Sequence, residues 1–478
     1  MEHTNIISLI PMMITGGTAI LLMLVIAVKR MHLISLILSL LALIAAFIAL
    51  TVYLPELDVQ KKGLLIMDSY SLFFTALLLA SGFVVAVLSF DYMKNHSINH
   101  EEFYILLFLA LLGASLLVAS NHFATLFLGF ELLSVSLYVM IAYLHHRSAS
   151  IEAGAKYLIL AAVSSAFLLY GMALVYTSTG TMNLNGLALH LSQTTQLSLL
   201  MRTGLAMMFG GIAFKLALAP FHMWTPDVYQ GAPAPITAFV STVSKGAVFA
   251  ILFRLTTTLE LYQYGFIITF FMIMAVVSMF AGNILALLQE NVKRILAYSS
   301  IAHLGYLLIA FIAGGELGGE AAAFYLVAYF ITMLGALGVV SVLSHPEKEP
   351  EDVKNYRGLF WRRPWIALIL SAMLFSLAGI PLTAGFLGKF YVAAAGLSAK
   401  HIALVIILVI NSVIGLYYYL RIVVAMFSPA ATIQPHFPKD QQVPLKSMAI
   451  LSALVILLIG FGVFPQGLMD LIHELVRL

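Results

Sequence analysis

Long apolar runs separated by short polar breaks dominate the chain. A membrane-spanning helix needs about 20 mostly apolar residues. Fourteen runs fit that length: 5–28, 32–54, 69–90, 102–120, 122–144, 154–177, 196–220, 234–259, 264–288, 294–313, 320–344, 364–398, 401–427 and 445–467. The pattern predicts an all-α polytopic membrane protein with about fourteen transmembrane helices. The first run has no short-flank cleavage site after it, so it reads as a helix and not as a removed signal. The longest hydrophilic stretch, around His345 to Arg363, reads as a loop and not as a soluble domain.

Two runs do not fit a continuous helix. Run 196–220 leads into a segment holding Pro220, Pro226, Pro233 and Pro235, and run 364–398 contains Pro381 between glycines. Proline removes a backbone donor and breaks a helix interior. At membrane depth such a break survives only inside protein or beside a water-filled cavity. Helices 7 and 12 are therefore expected to be broken. Helices 4–8 (within 101–260) and 9–13 (within 261–430) form two blocks of five spans. Five is odd, so the second block enters from the opposite side, as in an inverted repeat. Residues 1–100 then supply helices 1–3, and 431–478 supply helix 14.

Loop charge sets the orientation. With the N-terminus outside, the inner loops hold Lys29, Arg30, Lys94, Arg147, Lys293, Arg294, Lys348, Lys354, Arg357, Arg362, Arg363, Lys439 and Lys446. The outer segments hold only Lys61, Lys62, Lys400 and Arg477. The excess places both termini outside and agrees with an even number of spans.

Charges inside the runs are the functional signal, because a lysine at membrane depth costs roughly 2.5–3.5 kcal/mol on insertion scales. Lys215 and Lys245 lie on either side of the proline-rich break, Lys245 too deep in its run to snorkel. Glu131 lies in the fifth run, with Ser134 one turn on, and is the candidate carboxylate partner of Lys215. His303 sits among Tyr298, Ser299, Ser300 and Tyr306, a setting that suits proton relay or a plain buried hydrogen bond. Lys389 follows Pro381 and Gly385. His222 is a weaker candidate. Lys156, Arg202, Arg254 and Arg421 read as anchors near span ends, GGELGG at Gly314–Gly319 as a loop, and the tyrosines at Tyr417–Tyr419 as packing near an interface.

Composition narrows the chemistry. The chain is 62% hydrophobic and 9% charged, against about 25% charged for a soluble domain. A net charge of +3 spread over loops gives no reason to expect nucleic-acid binding. Without cysteine, the chain offers no disulfide, thiol nucleophile or cysteine-ligated cluster. Neither a phosphate-binding loop nor a dinucleotide fingerprint occurs. His145 and His146 have no accompanying ligand residues, so no metal site is expected.

Three stretches carry a family resemblance: FKLALAPFHMWTPDVYQGAPAPITAF from Phe214, NVKRILAYSSIAHLGYLL from Asn291, and SLAGIPLTAGFLGKFYV from Ser376. With them the chain resembles the antiporter-like subunit N family of bacterial NADH–quinone oxidoreductase, respiratory complex I. The resemblance implies two inverted five-helix repeats and a role in proton translocation. It implies a relay of Glu131, its partner Lys215, the central Lys245, His303, and Lys389 near the exit. It also implies that NADH oxidation, FMN, the iron–sulfur clusters and most of the quinone site belong to partner subunits, with no cofactor in this chain. The expected setting is the bacterial inner membrane, beside other membrane subunits of complex I and the lipid bilayer, with both termini periplasmic. Two alternatives stand beside this reading: a subunit of a multisubunit sodium–proton antiporter, and a structural membrane spacer with degenerate channels. The TPDVYQGAPAP wording and the lysine at 389 favour subunit N. A spacer has no need of charges that cannot snorkel.

Overall fold

Among the described residues each apolar run is helical, and run 364–398 forms two helices. A computed structural model describes residues 9–53, 63–96, 100–193, 196–344, 349–429 and 443–476. Residues 5–8 of the first run lie outside these, as do Lys61, Lys62, Lys348, Lys439 and Arg477, which entered the orientation count. The helices are α1 (Ile10–Val28), α2 (His32–Tyr53), α3 (Ser69–His96), α4 (Glu102–Val118), α5 (Phe123–Ile141) and α6 (Ser148–Thr179). A short α7 (Leu184–Ser192) precedes α8 (Leu199–Leu216) and α9 (Trp224–Gly231). Next come α10 (Ala234–Thr258), α11 (Gly265–Leu287), α12 (Val292–Ala313) and α13 (Gly315–Leu343). The chain finishes with α14 (Pro364–Ala378), α15 (Ala384–Ser398), α16 (Ile402–Phe427), α17 (Leu445–Val463) and α18 (Gln466–Leu475). Among the described residues, twelve helices are long and apolar enough to cross a membrane, and α4 and α14 are shorter apolar helices.

Both expected breaks are present. The seventh span stops at α8, where Ala217 turns into the left-handed region at φ 59°, and resumes as α9. The twelfth stops at α14, with Gly379 at φ 85° and Leu382 at φ 71°, and resumes as α15 under a Thr383 side-chain cap on the Phe386 amide. A third irregularity has no proline within it: Val240–Ser244 forms a π-turn inside α10, ending at Lys245. Such insertions within α-helices concentrate at functional sites.

Helix pairs close through small residues, as expected where lipid removes the hydrophobic drive for association. A Cβ added to Gly113 of α4 would lie 2.6 Å from the Leu133 amide nitrogen of α5, and one on Gly171 of α6 would lie 2.6 Å from the Gly204 carbonyl of α8. The same close approach joins Gly282 of α11 to α12, at 2.6 Å from the Ala302 nitrogen. Burial is graded across the bundle. The most apolar windows of α10, α12 and α13 are 100%, 94% and 94% buried, whereas that of α17 is 22% buried. The three central helices see almost no lipid, and they carry Lys245, His303 and their partners.

Four sequence expectations change. GGELGG is not a loop, because α13 begins at Gly315. Arg254 is no interfacial anchor: it is buried and makes two bonds to Asp68, at 2.8 and 2.6 Å. Tyr418 and Tyr419 are buried and hydrogen-bonded, not interfacial packing. Lys293 is not a loop charge. It lies fully buried in the first turn of α12 and donates to Glu349 at 2.6 Å and to the Ala232 carbonyl at 2.6 Å. Tyr92 also donates to Glu349, and Arg147 approaches it at 3.7 Å. For Arg254, Lys293 and the two tyrosines a distant acidic or polar partner makes burial tolerable.

Burial alone would raise the Glu349 carboxyl, but the charge and hydrogen bond of Lys293, with Tyr92 and Arg147, outweigh it and hold the group below its usual 4.5. A depressed carboxylate contributes stability that is full above the unfolded value and lost as pH falls through the folded one. Thermal stability of the detergent-purified protein should therefore decline as pH drops below about 4.5. Glu349→Gln should cost about 3–5 kcal/mol at neutral pH, by stranding Lys293, and should flatten the acid limb of the melting profile. An unchanged acid limb in Glu349→Gln would remove Glu349 as its source.

Candidate functional site

The five expected residues fall along one polar row through the apolar bundle. Lys215 occupies the last turn of α8, immediately before the break, and is fully buried. Its ammonium donates to Ser134 Oγ at 2.6 Å and stands 5.1 Å from the ring centroids of Phe130 and Tyr157. The expected ion pair with Glu131 is not formed in this structure. Glu131 lies one turn from Ser134 on α5, half-buried, with its Oε1 buried and unpartnered. Ser134 and Glu131 are thus neighbouring acceptors on α5, of which Ser134 holds the ammonium.

Lys245 follows the π-turn at the centre of α10. It donates to Ser300 Oγ of α12 at 2.6 Å and stands 5.4 Å from the Tyr229 ring centroid. Ser300 is a junction: its hydroxyl is 2.5 Å from Tyr329 Oη of α13 and 3.3 Å from Tyr229 Oη of α9. Among the described residues no carboxylate lies within 4.0 Å of the Lys245 ammonium. Between the first two lysines, Tyr157 of α6 has a hydroxyl without a hydrogen-bond partner, facing Ser244 of the π-turn.

His303 lies one turn beyond Ser300 on the same face of α12. Both ring nitrogens are engaged, Nδ1 with Tyr325 Oη of α13 at 2.6 Å and Nε2 with Tyr419 Oη of α16 at 3.2 Å. Tyr419 also bonds Ser299. A cavity of about 10 Å³ beside His303 is lined by Thr332, Ser376 and Gly385 among others, room for about one water. Leu377 also lines it, and Lys389 of α15 donates to the Leu377 and Ala378 carbonyls at 2.8 and 3.0 Å and to Ser412 Oγ at 2.8 Å. Those carbonyls end α14, where the helix dipole is negative and a cation is favoured. The Tyr306 ring centroid is 5.2 Å from the Lys389 ammonium. Tyr306 Oη leads on to Asn283 at 2.9 Å, and Asn283 to Asn411 at 3.2 Å.

The sequence profile of the family described as "NADH:quinone oxidoreductase/Mrp antiporter, TM" matches residues 120–415. The chain is 42% identical over 477 residues to "NADH-quinone oxidoreductase subunit N" of Ectopseudomonas mendocina, covering 98% of this chain and 96% of that protein. It is 44% identical to the protein of the same name from Methylococcus capsulatus, over 97% and 94% of the two chains. The chain belongs to the NADH–quinone oxidoreductase subunit N family. A chain of respiratory complex I from Thermus thermophilus, solved with bound aureothin, shares the fold at a TM-score of 0.82 and 30% identity, over 96% of this chain and 98% of that one. The all-helical antiporter-like architecture expected from the sequence is thus the family's own.

Several members of the row in this subunit N relative were not read as site residues from sequence. Tyr325, Tyr329 and Tyr419 look like apolar packing residues in strongly apolar runs, and only the fold brings them to His303 and Ser300. Ser412, next to Asn411, and Asn283 are among the few polar residues in long apolar runs, a signal that could have marked them. His222 lies beside the break, buried but for 8%, with no hydrogen bond to its Nδ1. Among the anchors, Lys156 reaches Asp227 at 2.7 Å and Arg421 bonds the carbonyls of Leu287 and Gln289.

The second break depends on one tight contact. A Cβ added to Gly385 would sit 2.2 Å from the Ser376 carbonyl oxygen, which is backbone and cannot turn aside. Gly385→Ala should push α15 away from α14, detach Lys389 from the Leu377 and Ala378 carbonyls, and destabilise the protein by about 1–3 kcal/mol or more. A melting temperature equal to wild type would show that the break does not rest on this contact.

Proposed function

We propose that this chain is a proton-translocating membrane subunit of NADH–quinone oxidoreductase, and that Glu131, Lys215, Lys245, His303 and Lys389 form its proton relay. The observation that carries the reading is the state of the three lysines. Each ammonium is buried among central elements and meets a hydroxyl, and none is neutralised by a carboxylate within 4.0 Å among the described residues. A hydroxyl accepts from an ammonium and can donate onward, so lysine, serine and tyrosine in contact form a path along which a proton can pass.

In this mechanism Lys215 shifts between Ser134 and Glu131. An ammonium on Glu131 is held by opposite charge, whereas one on Ser134 is readier to release its proton. Its charge state then biases Lys245 by Coulomb interaction, which is strong where water is excluded. From Lys245 the proton crosses Ser300 and Tyr329 toward His303, and the small cavity supplies a water on the way to Lys389. The two five-span blocks, each with a broken fourth span, are read as inverted repeats that face opposite sides of the membrane. Redox chemistry, with FMN, iron–sulfur clusters and quinone, is assigned to partner subunits. The chain is placed in the bacterial inner membrane among neighbouring membrane subunits, with both termini outside. The antiporter alternative shares the family fold, but the near end-to-end similarity to proteins named subunit N favours complex I.

Lys245→Ala in the assembled complex should lower proton translocation per NADH oxidised by about 100-fold, the low end of a lost acid–base group. Lys245→Arg should assemble but transfer poorly, since arginine does not release its proton. The readout is pH change in vesicles holding the complex, with a mild-detergent pull-down to confirm that flavin and iron come with the chain. Wild-type pumping by a fully assembled Lys245→Ala complex would sink the relay, and a pull-down without redox cofactors would move the chain to the antiporter class.

A further inference from the structure

The groove between α2, α3 and α17 plays no part in the relay. It encloses about 420 Å³ and is walled by apolar side chains, with Leu43 and Phe47 from α2, Ala80 and Phe83 from α3, and Ala453 and Leu457 from α17. The same helix faces lead to a polar cluster at one end. His32 precedes Leu43 by eleven residues, Phe90 follows Phe83 by seven, and Lys446 precedes Ala453 by seven. Each spacing is close to a whole number of turns.

These side chains meet. His32 stacks on Phe90 with ring centroids 4.2 Å apart, and the Lys446 ammonium is 3.3 Å from the Phe90 centroid and 3.1 Å from Asp91. The His100 ring is 4.9 Å from His32, and its buried Nδ1 has no hydrogen-bond partner. Arg30 is engaged by Glu102 at 2.5 Å, whereas Lys94, one turn past Phe90, is exposed with no carboxylate within 4.0 Å among the described residues.

We propose that this groove binds an anionic phospholipid, with an acyl chain between α2, α3 and α17 and the phosphodiester at Lys94, Lys446 and His100. Seven helical residues rise about 10 Å, so groove and cluster are offset along the helices as an acyl chain is from its headgroup. One end is charged, with Lys94 and Lys446 beside Asp91 and with Glu101 accepting from the His100 amide, and the wall is apolar elsewhere, which matches a lipid. Helix partners in membranes favour walls of small residues, and this wall is built mainly from leucine, isoleucine and phenylalanine. Asp91 holds Lys446 over Phe90 and offsets part of its charge, which leaves Lys94 as the cation without a carboxylate within 4.0 Å among the described residues.

The test uses the assembled complex in phosphatidylcholine vesicles with a trace of phosphatidylglycerol carrying a photoreactive acyl chain. Crosslinks should map to residues 43–48, 79–84 and 450–457. Excess unlabelled phosphatidylglycerol should displace them, and added phosphatidylcholine or inorganic phosphate should not. Lys94→Gln and Lys446→Gln should each weaken labelling about fivefold. Ala453→Phe should fill the groove and abolish labelling without loss of NADH oxidation. Equal displacement by phosphatidylcholine would overturn the anionic specificity. Absence of groove crosslinks in the wild-type complex would show that a neighbouring helix covers the wall, and would overturn the site. The wild-type competition decides the proposal even where a variant fails to assemble.

Discussion

Everything in this bundle is arranged around the cost of an ammonium ion in a medium that cannot solvate it. An isolated charge in an apolar interior is prohibitive, and proteins meet the cost by pairing it, hydrating it or neutralising it. Arg254 and Lys293 are paired, with Asp68 and Glu349. Lys215, Lys245 and Lys389 are held by hydroxyls, aromatic faces and carbonyls instead. The first solution fixes a charge for good and serves the scaffold. The second leaves the ammonium without a counter-charge in contact, the feature on which the proposed relay rests.

The same constraint explains where the backbone is irregular. A helix can open at membrane depth only where its freed carbonyls find donors. At the second break, Lys389 is that donor, bridging to the two terminal carbonyls of α14. The break needs the lysine and the lysine needs the break. At the first, Trp224 donates its indole N–H to the Phe214 carbonyl at 2.9 Å, and Ser278 accepts from the Ala219 amide at 2.9 Å. The π-turn before Lys245 carries Ser241 and Thr242, whose hydroxyls donate back to the Ala238 carbonyl.

Much of this was legible in the sequence, for a reason specific to membranes: the apolar background is so uniform that Glu131, Lys215, Lys245, His303 and Lys389 stand out as exceptions. Prolines marked the two breaks for the same reason. What was not legible depends on contacts distant in sequence. Lys293 next to Arg294 looks like an ordinary loop pair until Glu349, 56 residues on, is folded against it. Arg254 needed Asp68, 186 residues away. Tyr325, Tyr329 and Tyr419 carry no charge and do not stand out in apolar runs, and their hydroxyls reach Ser300 and His303 only because α13 and α16 flank α12. The π-turn left no proline to announce it.

The two outer lysines differ in how firmly they are held, and the difference bears on direction. Lys389 makes three hydrogen bonds, two of them to backbone that cannot move without refolding the break. Lys215 has one hydroxyl acceptor at hydrogen-bond distance and an unpartnered carboxylate oxygen a turn away. A group with two competing acceptors is a switch, and a group bound to fixed dipoles is a resting place. In the proposed relay the switch would respond to an electrostatic change on its side of the row, and the resting place to charge arriving from Lys245. Lys215 would then be the element that moves and Lys389 the one that waits, which would give a signal entering at Glu131 one direction in which to travel.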